Sequence, residues 1–194
     1  MPRQRSIVFI IPALFVCTLA MVGCATAKGG TQAEKRTYTL QMRDEALADL
    51  YEQRPEARQK IENAAGYGAF SAIGTNLIFV TTGGGYGVVH NKKTGADTFM
   101  KMGEIGVGLG IGVTDFRAVF VFYDQNTINK FVTEGWEWGA QAQAAAQAGD
   151  QGGSATGAGT LNSGMEIYQF TKNGIALSVS VSGTRYWKDA LLNE

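Results

Sequence analysis

The chain has 194 residues, 17 basic and 17 acidic side chains, and 45% hydrophobic residues. That length is one domain's worth, and the even charge excludes the strongly basic balance expected of a nucleic-acid partner. Two cysteines, Cys17 and Cys24, are too few for a disulfide framework.

The N-terminus reads as an export signal. Arg3 and Arg5 precede an apolar run from Ile7 to Met21, and Met21-Val22-Gly23 leads into Cys24. This arrangement resembles a bacterial lipoprotein signal of residues 1–23, with Cys24 as the acylated first residue of the mature protein. Met21 stands where such signals usually carry leucine. The competing reading is ordinary secretory cleavage after Ala25-Thr26-Ala27, which would release a soluble periplasmic or secreted product. At roughly 15 residues the apolar run falls short of the ~20 needed to span a bilayer. Without residues 1–23 the chain keeps 15 basic against 17 acidic groups, because only Arg3 and Arg5 leave with the leader. Cys17 leaves too, so no intramolecular disulfide can form and the core alone must hold the domain.

Residues 24–36 are small, polar and charged and read as a tether, with a single domain over 37–194. From Thr39 the apolar period is helical: Leu40, Leu47, Leu50, Ala57 and Ile61 fall near one stripe. Pro55 divides it, so the pattern predicts one helix ending near Gln53 and another starting at Pro55. Two such helices would cover a sheet. A membrane-surface role for the first would need a polar face rich in Lys and Arg, and here acids and bases mix.

After Gly66 the pattern turns to glycine, β-branched and aromatic residues with a period near two. It predicts strands at 67–73, 77–82, 85–91, 96–102, 104–114, 117–123, 163–171 and 175–182. Turns are expected at Lys92-Lys93-Thr94-Gly95 and Lys172-Asn173-Gly174, and Asp124 is placed to cap a helix over 125–132. In 104–113, Ile105, Val107, Leu109, Ile111 and Val113 alternate with glycines, which suggests one curled strand with five aliphatics on one face. The triple glycine 83–85 reads as a strand bend or bulge. Residues 136–148 suit a helix by propensity but alternate like a strand, and 149–160 read as a mobile loop. The fold class is therefore α+β: a strongly curled or barrel-like antiparallel sheet of about seven to nine strands, covered by N-terminal helices.

Motifs for catalysis or cofactors are missing. His90 is the sole histidine, and no His/Cys metal set or Cys-His pair can be assembled. Gly83 to Gly87 does not match the dinucleotide fingerprint, and Lys92 occupies the position where a phosphate loop ending in Lys93-Thr94 needs glycine. The reading is a non-enzyme with no cofactor. A Ser-His-Asp triad using His90 is the enzymatic alternative, since tertiary proximity is invisible at this level.

Several segments, taken in order, resemble the SYLF domain of bacterial secreted and lipid-anchored proteins. They are Leu50-Tyr51 with Pro55-Glu56-Ala57-Arg58, the run from Ala64 to Phe70, Gly83 to Val89, the strand at 104–113, Phe120-Val121-Phe122, and 135–139. The last is Ile167-Tyr168-Gln169-Phe170 with 174–183, so the resemblance covers about residues 45–190. Ser71 departs from a proline that commonly follows the phenylalanine. The resemblance implies phospholipid binding, associated in eukaryotic members with phosphoinositides and actin, and it favours a strand over 136–148. For this chain it implies a membrane phospholipid as partner, through an outer-membrane lipoprotein on the periplasmic side, since Ala25 rather than Asp follows Cys24. Candidate headgroup contacts are Lys92, Lys93, Lys101, Arg185 and Lys188, with Trp136, Trp138 and Trp187 as interfacial aromatics. The alternative is an envelope module that binds a protein partner through a sheet edge or the 149–160 loop.

Overall fold

A computed structural model describes residues 26–78, 80–108, 110–138, 158–161, 164–171 and 180–194. Side chains are described for these except 74–78, 80–81, 105–108, 110–115, 138, 158–161, 171 and 180–182. The leader, Cys24, residues 139–157 and 162–163, the expected turn at 172–174 and the start of the expected strand at 175–179 lie outside the described residues.

Two helices, α1 (Gln32–Gln53) and α2 (Glu56–Asn63), precede four long strands: β1 (Gly66–Ile78), β2 (Val80–Asn91), β3 (Ala96–Gly108) and β4 (Gly110–Phe122). Helix α3 (Gln125–Glu134) follows, then β5 (Trp136–Trp138), β6 (Ala158–Leu161), β7 (Met165–Thr171) and β8 (Ser180–Lys188), and a 3-10 turn at Leu191–Asn193. The strands form one eight-stranded sheet, β5-β8-β3-β2-β1-β4-β7-β6, with each described pairing antiparallel. The result is the expected α+β fold, with a curled half-barrel for its sheet.

Alternation along the strands sorts side chains onto two buried faces. Phe70, Val89, Met100, Phe120, Phe122 and Tyr186 pack on the inner face with Ile128 and Phe131 of α3. Ala69, Val119, Val121, Tyr168 and Phe170 pack on the outer face with Met42, Ala46 and Leu50 of α1 and Ala57 and Ile61 of α2. The N-terminal helices therefore cover one face only, and α3, amphipathic through Ile128 and Phe131, covers the other. As expected, Asp124 caps α3, accepting a 2.8 Å bond from the Thr127 amide.

The described elements correct several boundaries. Helix α1 starts at Gln32, inside the segment read as tether, because Thr31 and Glu34 make a reciprocal capping box. Residues 104–114 are not one strand: they are shared between β3 and β4, which lie on opposite sides of the β1–β2 pair. Residues 77–82 are likewise split between β1 and β2. The triple glycine is not a bulge, since β1 and β2 pair residue for residue from Leu77↔Val80 to Gly66↔Asn91. Steric room is the reason for glycine here. A Cβ at Gly87 would strike the Phe70 ring and the Ala69 carbonyl, and one at Gly85 would strike Ala72 and the Ser71 carbonyl. Within the supposed loop, Ala158–Leu161 is a strand because β7 offers it a partner edge. Trp136–Trp138 is extended, as the resemblance implied, and β8 continues to Lys188, past the expected end at Ser182.

Phe120 sits at the centre of the inner core, fully buried, with its ring 5.0 Å from Tyr186, 5.1 Å from Phe131, 5.4 Å from Phe70 and 5.7 Å from Trp136. Phe120→Ala is expected to cost about 3–5 kcal/mol in urea unfolding, and to release α3 from the sheet as judged by amide exchange.

Candidate functional site

The register gathers six of the eight sequence-selected residues on three adjacent strands, β3, β8 and β5. Lys101 is paired with Trp187, Met100 with Lys188, and Gly103 with Arg185, while Arg185 and Tyr186 face Glu137 and Trp136 on β5. Trp138 pairs with Thr184, and its side chain lies outside the described set. Lys92 and Lys93 sit in the turn between β2 and β3, where the Asn91 carboxamide accepts the Lys93 amide at 3.0 Å.

The individual side chains then divide. Trp136 turns inward and packs against Phe120, Phe131 and Tyr186, so it belongs to the core. Lys92 donates its ammonium to the Ile61 carbonyl, and to the Glu62 carbonyl at 2.9 Å, closing the C-terminal end of α2. Lys101 pairs with Asp189 at 3.3 Å, and Arg185 pairs with Glu137 at 3.0 Å on the open surface. Lys93 and Lys188 are exposed. Trp187 lies on Gly103, where a Cβ would come within 3.2 Å of its ring, and still leaves 39% of its surface to solvent. Four residues on, Leu191 is 57% exposed. Trp187, Lys188 and Leu191 are thus exposed aromatic, cationic and aliphatic groups close together in sequence, with Trp187 and Lys188 on opposite faces of β8. Leu191 was missed from sequence because Leu191-Leu192 reads as one apolar pair; the 3-10 turn separates them, burying Leu192 beside Val88 and Phe99.

A second set of polar groups lies beneath the N-terminal helices. Arg117 of β4 is buried and reaches Glu45 at 3.3 Å, the Met42 carbonyl at 3.5 Å and Asp49 at 3.9 Å on α1. Arg43 of α1 bonds Asp44 at 2.8 Å and Asp97 at 3.5 Å, and the other oxygen of Asp97 meets His90 Nδ1 at 2.7 Å. The Tyr67 ring packs on the His90 ring, with centroids 5.2 Å apart. His90 thus has an acid beside it, but the acid is engaged in a chain that ties α1 to the β2–β3 hairpin. Among the described residues, no three His, Cys, Asp or Glu side chains come together as metal ligands.

The third polar cluster joins α2 to the far side of the sheet. Glu166 of β7 is 6% exposed at its side chain, bonded at 2.7 Å by Lys60 and at 2.5 Å by the Tyr123 hydroxyl. Burial alone would raise the Glu166 carboxyl, but hydrogen bonds from Lys60 and Tyr123 and the Lys60 charge outweigh it and hold the group below its ordinary value. Burial together with the Glu166 bond pushes Tyr123 up to about 12. A depressed carboxyl adds stability above its unfolded value, near ~4.3, and loses it as pH falls through the folded value. A raised phenol does the reverse, losing its share as pH rises from its unfolded value of ~10. Urea midpoints of the wild type should therefore fall more steeply below about pH 5 than those of Glu166→Gln. Parallel acid limbs for the two proteins would show that this cluster carries none of the dependence.

No family model matches the chain. It is similar to Beta cell expansion factor A of Aeromonas veronii, 36% identical over 164 residues that make up 84% of this chain and 61% of that protein. The chain thus spans less than two thirds of the length of that relative.

Proposed function

We propose that the chain is a SYLF-type, non-enzymatic phospholipid-binding lipoprotein of the bacterial envelope, acylated at Cys24 and held on the periplasmic side of the outer membrane. The observation that carries the reading is the exposure of Trp187 near the end of β8 and of Leu191 in the turn after it. Trp187 and Leu191 are exposed, with Lys188 between them. Amphipathic aromatics with basic neighbours suit the headgroup boundary of a bilayer, where the ring is part buried and the ammonium stays wet. The ordered segments from Leu50 to Gly183, the curled sheet and the similarity to Beta cell expansion factor A over 164 residues support it. The leader supports the anchor: basic n-region, apolar h-region and a cysteine with no other evident use.

The test uses the chain from residue 24 with Cys24→Ser, so that no acyl group contributes. It should co-sediment with phosphatidylcholine vesicles and with vesicles containing phosphatidylglycerol at low salt. Trp187→Ala combined with Leu191→Ala should weaken partitioning about tenfold or more, the effect of removing ~1.4 kcal/mol of apolar insertion. Lys188→Glu should matter on the anionic vesicles and little on the zwitterionic ones. Absence of binding to either lipid overturns the reading and leaves the envelope protein-interaction module, for which crosslinking in intact cells to one dominant protein adduct is the readout.

A further inference from the structure

The two ends of the described chain meet. Arg36, in the second turn of α1, donates from Nε to the Leu192 carbonyl and from Nη2 to the Glu194 carbonyl, both at 2.8 Å. Leu40 packs on the cluster of Leu192, Val88 and Phe99. The Asn193 side chain locks the last turn to β3, donating to the Phe99 carbonyl at 2.7 Å and accepting from the Phe99 amide at 3.0 Å. The start of α1 and the segment 187–194, which bears Trp187 and Leu191, are thus one rigid end of the molecule.

The chain before α1 is also fixed. Glu34 accepts from the Gly30 and Thr31 amides at 2.8 and 3.0 Å, Gly29 turns the backbone at φ 140, and Lys28 lies 5.9 Å from the centre of the Tyr38 ring. Ala27 is already buried, at 5% exposure. Counted along the sequence, only Cys24, Ala25 and Thr26 separate an acylated Cys24 from the buried Ala27, against the dozen residues that composition suggests. Three residues span at most roughly 10 Å.

From this we infer that the anchored domain stands with the Arg36 clasp toward the bilayer, so that Trp187 and Leu191 enter the interface of the same membrane that holds Cys24. The inference rests on the acylated-anchor and lipid-surface reading above, and adds the orientation. An arm of this length cannot let the domain turn its opposite end to the lipid, and the clasp holds the turn that bears Leu191, four residues after Trp187, against the helix that follows the arm. Charge supplies little of the preference. Of the five cations at this end, Lys28, Lys35, Arg36, Lys101 and Lys188, three are offset by Glu34, Asp189 and Glu194. Apolar insertion is the driving term, and lipid composition should affect the orientation weakly.

The experiment is fluorescence of the full acylated protein, extracted from membranes and reconstituted into phosphatidylcholine vesicles whose lipids carry bromine at shallow acyl positions. The signal of Trp187 is the difference between the wild type and Trp187→Phe, a conservative change at a partly exposed site. The expected result is loss of most of that difference emission. Full Trp187 emission on brominated vesicles overturns the orientation, and so does an N-terminal peptide mass showing Cys24 unmodified. Running the Cys24→Ser chain on the same vesicles separates the two readings. If it binds while Trp187 of the acylated protein stays bright, lipid binding stands and the orientation is wrong. If it fails to bind while Trp187 of the acylated protein is quenched, the orientation stands and intrinsic lipid affinity is absent.

Discussion

The constraint on which the structure depends is that its central strands are buried on both faces. Ala118, Val119, Phe120, Val121 and Phe122 of β4 are all at 0% exposure. Side chains alternate along a strand, so Val119 and Val121 meet the helices α1 and α2 while Phe120 and Phe122 meet α3. Any polar group in such a stretch must bring its partner with it. Arg117, the residue before this run, faces the helices and is met by Glu45, Asp49 and the Met42 carbonyl. The same constraint acts on β2, where Gly87 gives way so that Phe70 can lie across the inner face toward Phe120 and Tyr186, and Gly85 leaves room for Ala72.

The outer layer is attached differently from the inner one. The inner face is aromatic, with Phe70, Phe120, Phe122, Phe131 and Tyr186 in mutual edge and tilted contacts. The stripe that α1 offers is narrower: Thr39, Met42, Ala46 and Leu50 are its buried positions. Around that stripe, pairs from Arg117, Arg43 and Lys60 connect helix to strand. Pairs of this kind add little net stability once desolvation is counted, but a misplaced helix would leave their charges buried and unmatched. Their effect is to fix where the helices lie, and His90 belongs to this fixing through Asp97.

The fold was legible where a local signal was strong. Pro55 divided the helices, Asp124 announced α3, and the period-two run after Gly66 announced an antiparallel sheet. Strand limits were less legible, because the alternation runs on from β1 into β2 and from β3 into β4 without a Gly/Pro/Asn/Asp cluster to mark where one partner edge is exchanged for another. An alternating run therefore looked like one strand while belonging to two that are not neighbours. The capping box of Thr31 and Glu34 was present in the sequence, but the short polar stretch around it reads more readily as tether. At the candidate site, residue type alone could not separate Trp136, which fills the core, from Trp187, which faces outward. That distinction needs the register of β5 and β8, a tertiary fact. Lys92 and Lys101 looked like free cations for the same reason: the Ile61 carbonyl and Asp189 that engage them are distant in sequence or hidden in a terminal turn.

The Arg36 clasp and the last turn add ties that strand pairing alone does not supply. Among the described residues β8 lies between β5 and β3. Asp189 donates its amide to the Phe99 carbonyl at 3.0 Å, and Asn193 adds two further bonds to the same residue, so β8 is pinned to β3 beyond the end of their ladder. Arg36 then carries that pinning across to α1. In an anchored protein, a pull on the N-terminal arm would reach β3 through Arg36 and the C-terminal turn as well as through the apolar stripe of α1. The load would be shared between a helix packed on the sheet and a strand within it. A tether attached to the first turn of an otherwise lightly held helix would lack that second path, and the helix would fray from its N-terminal end first.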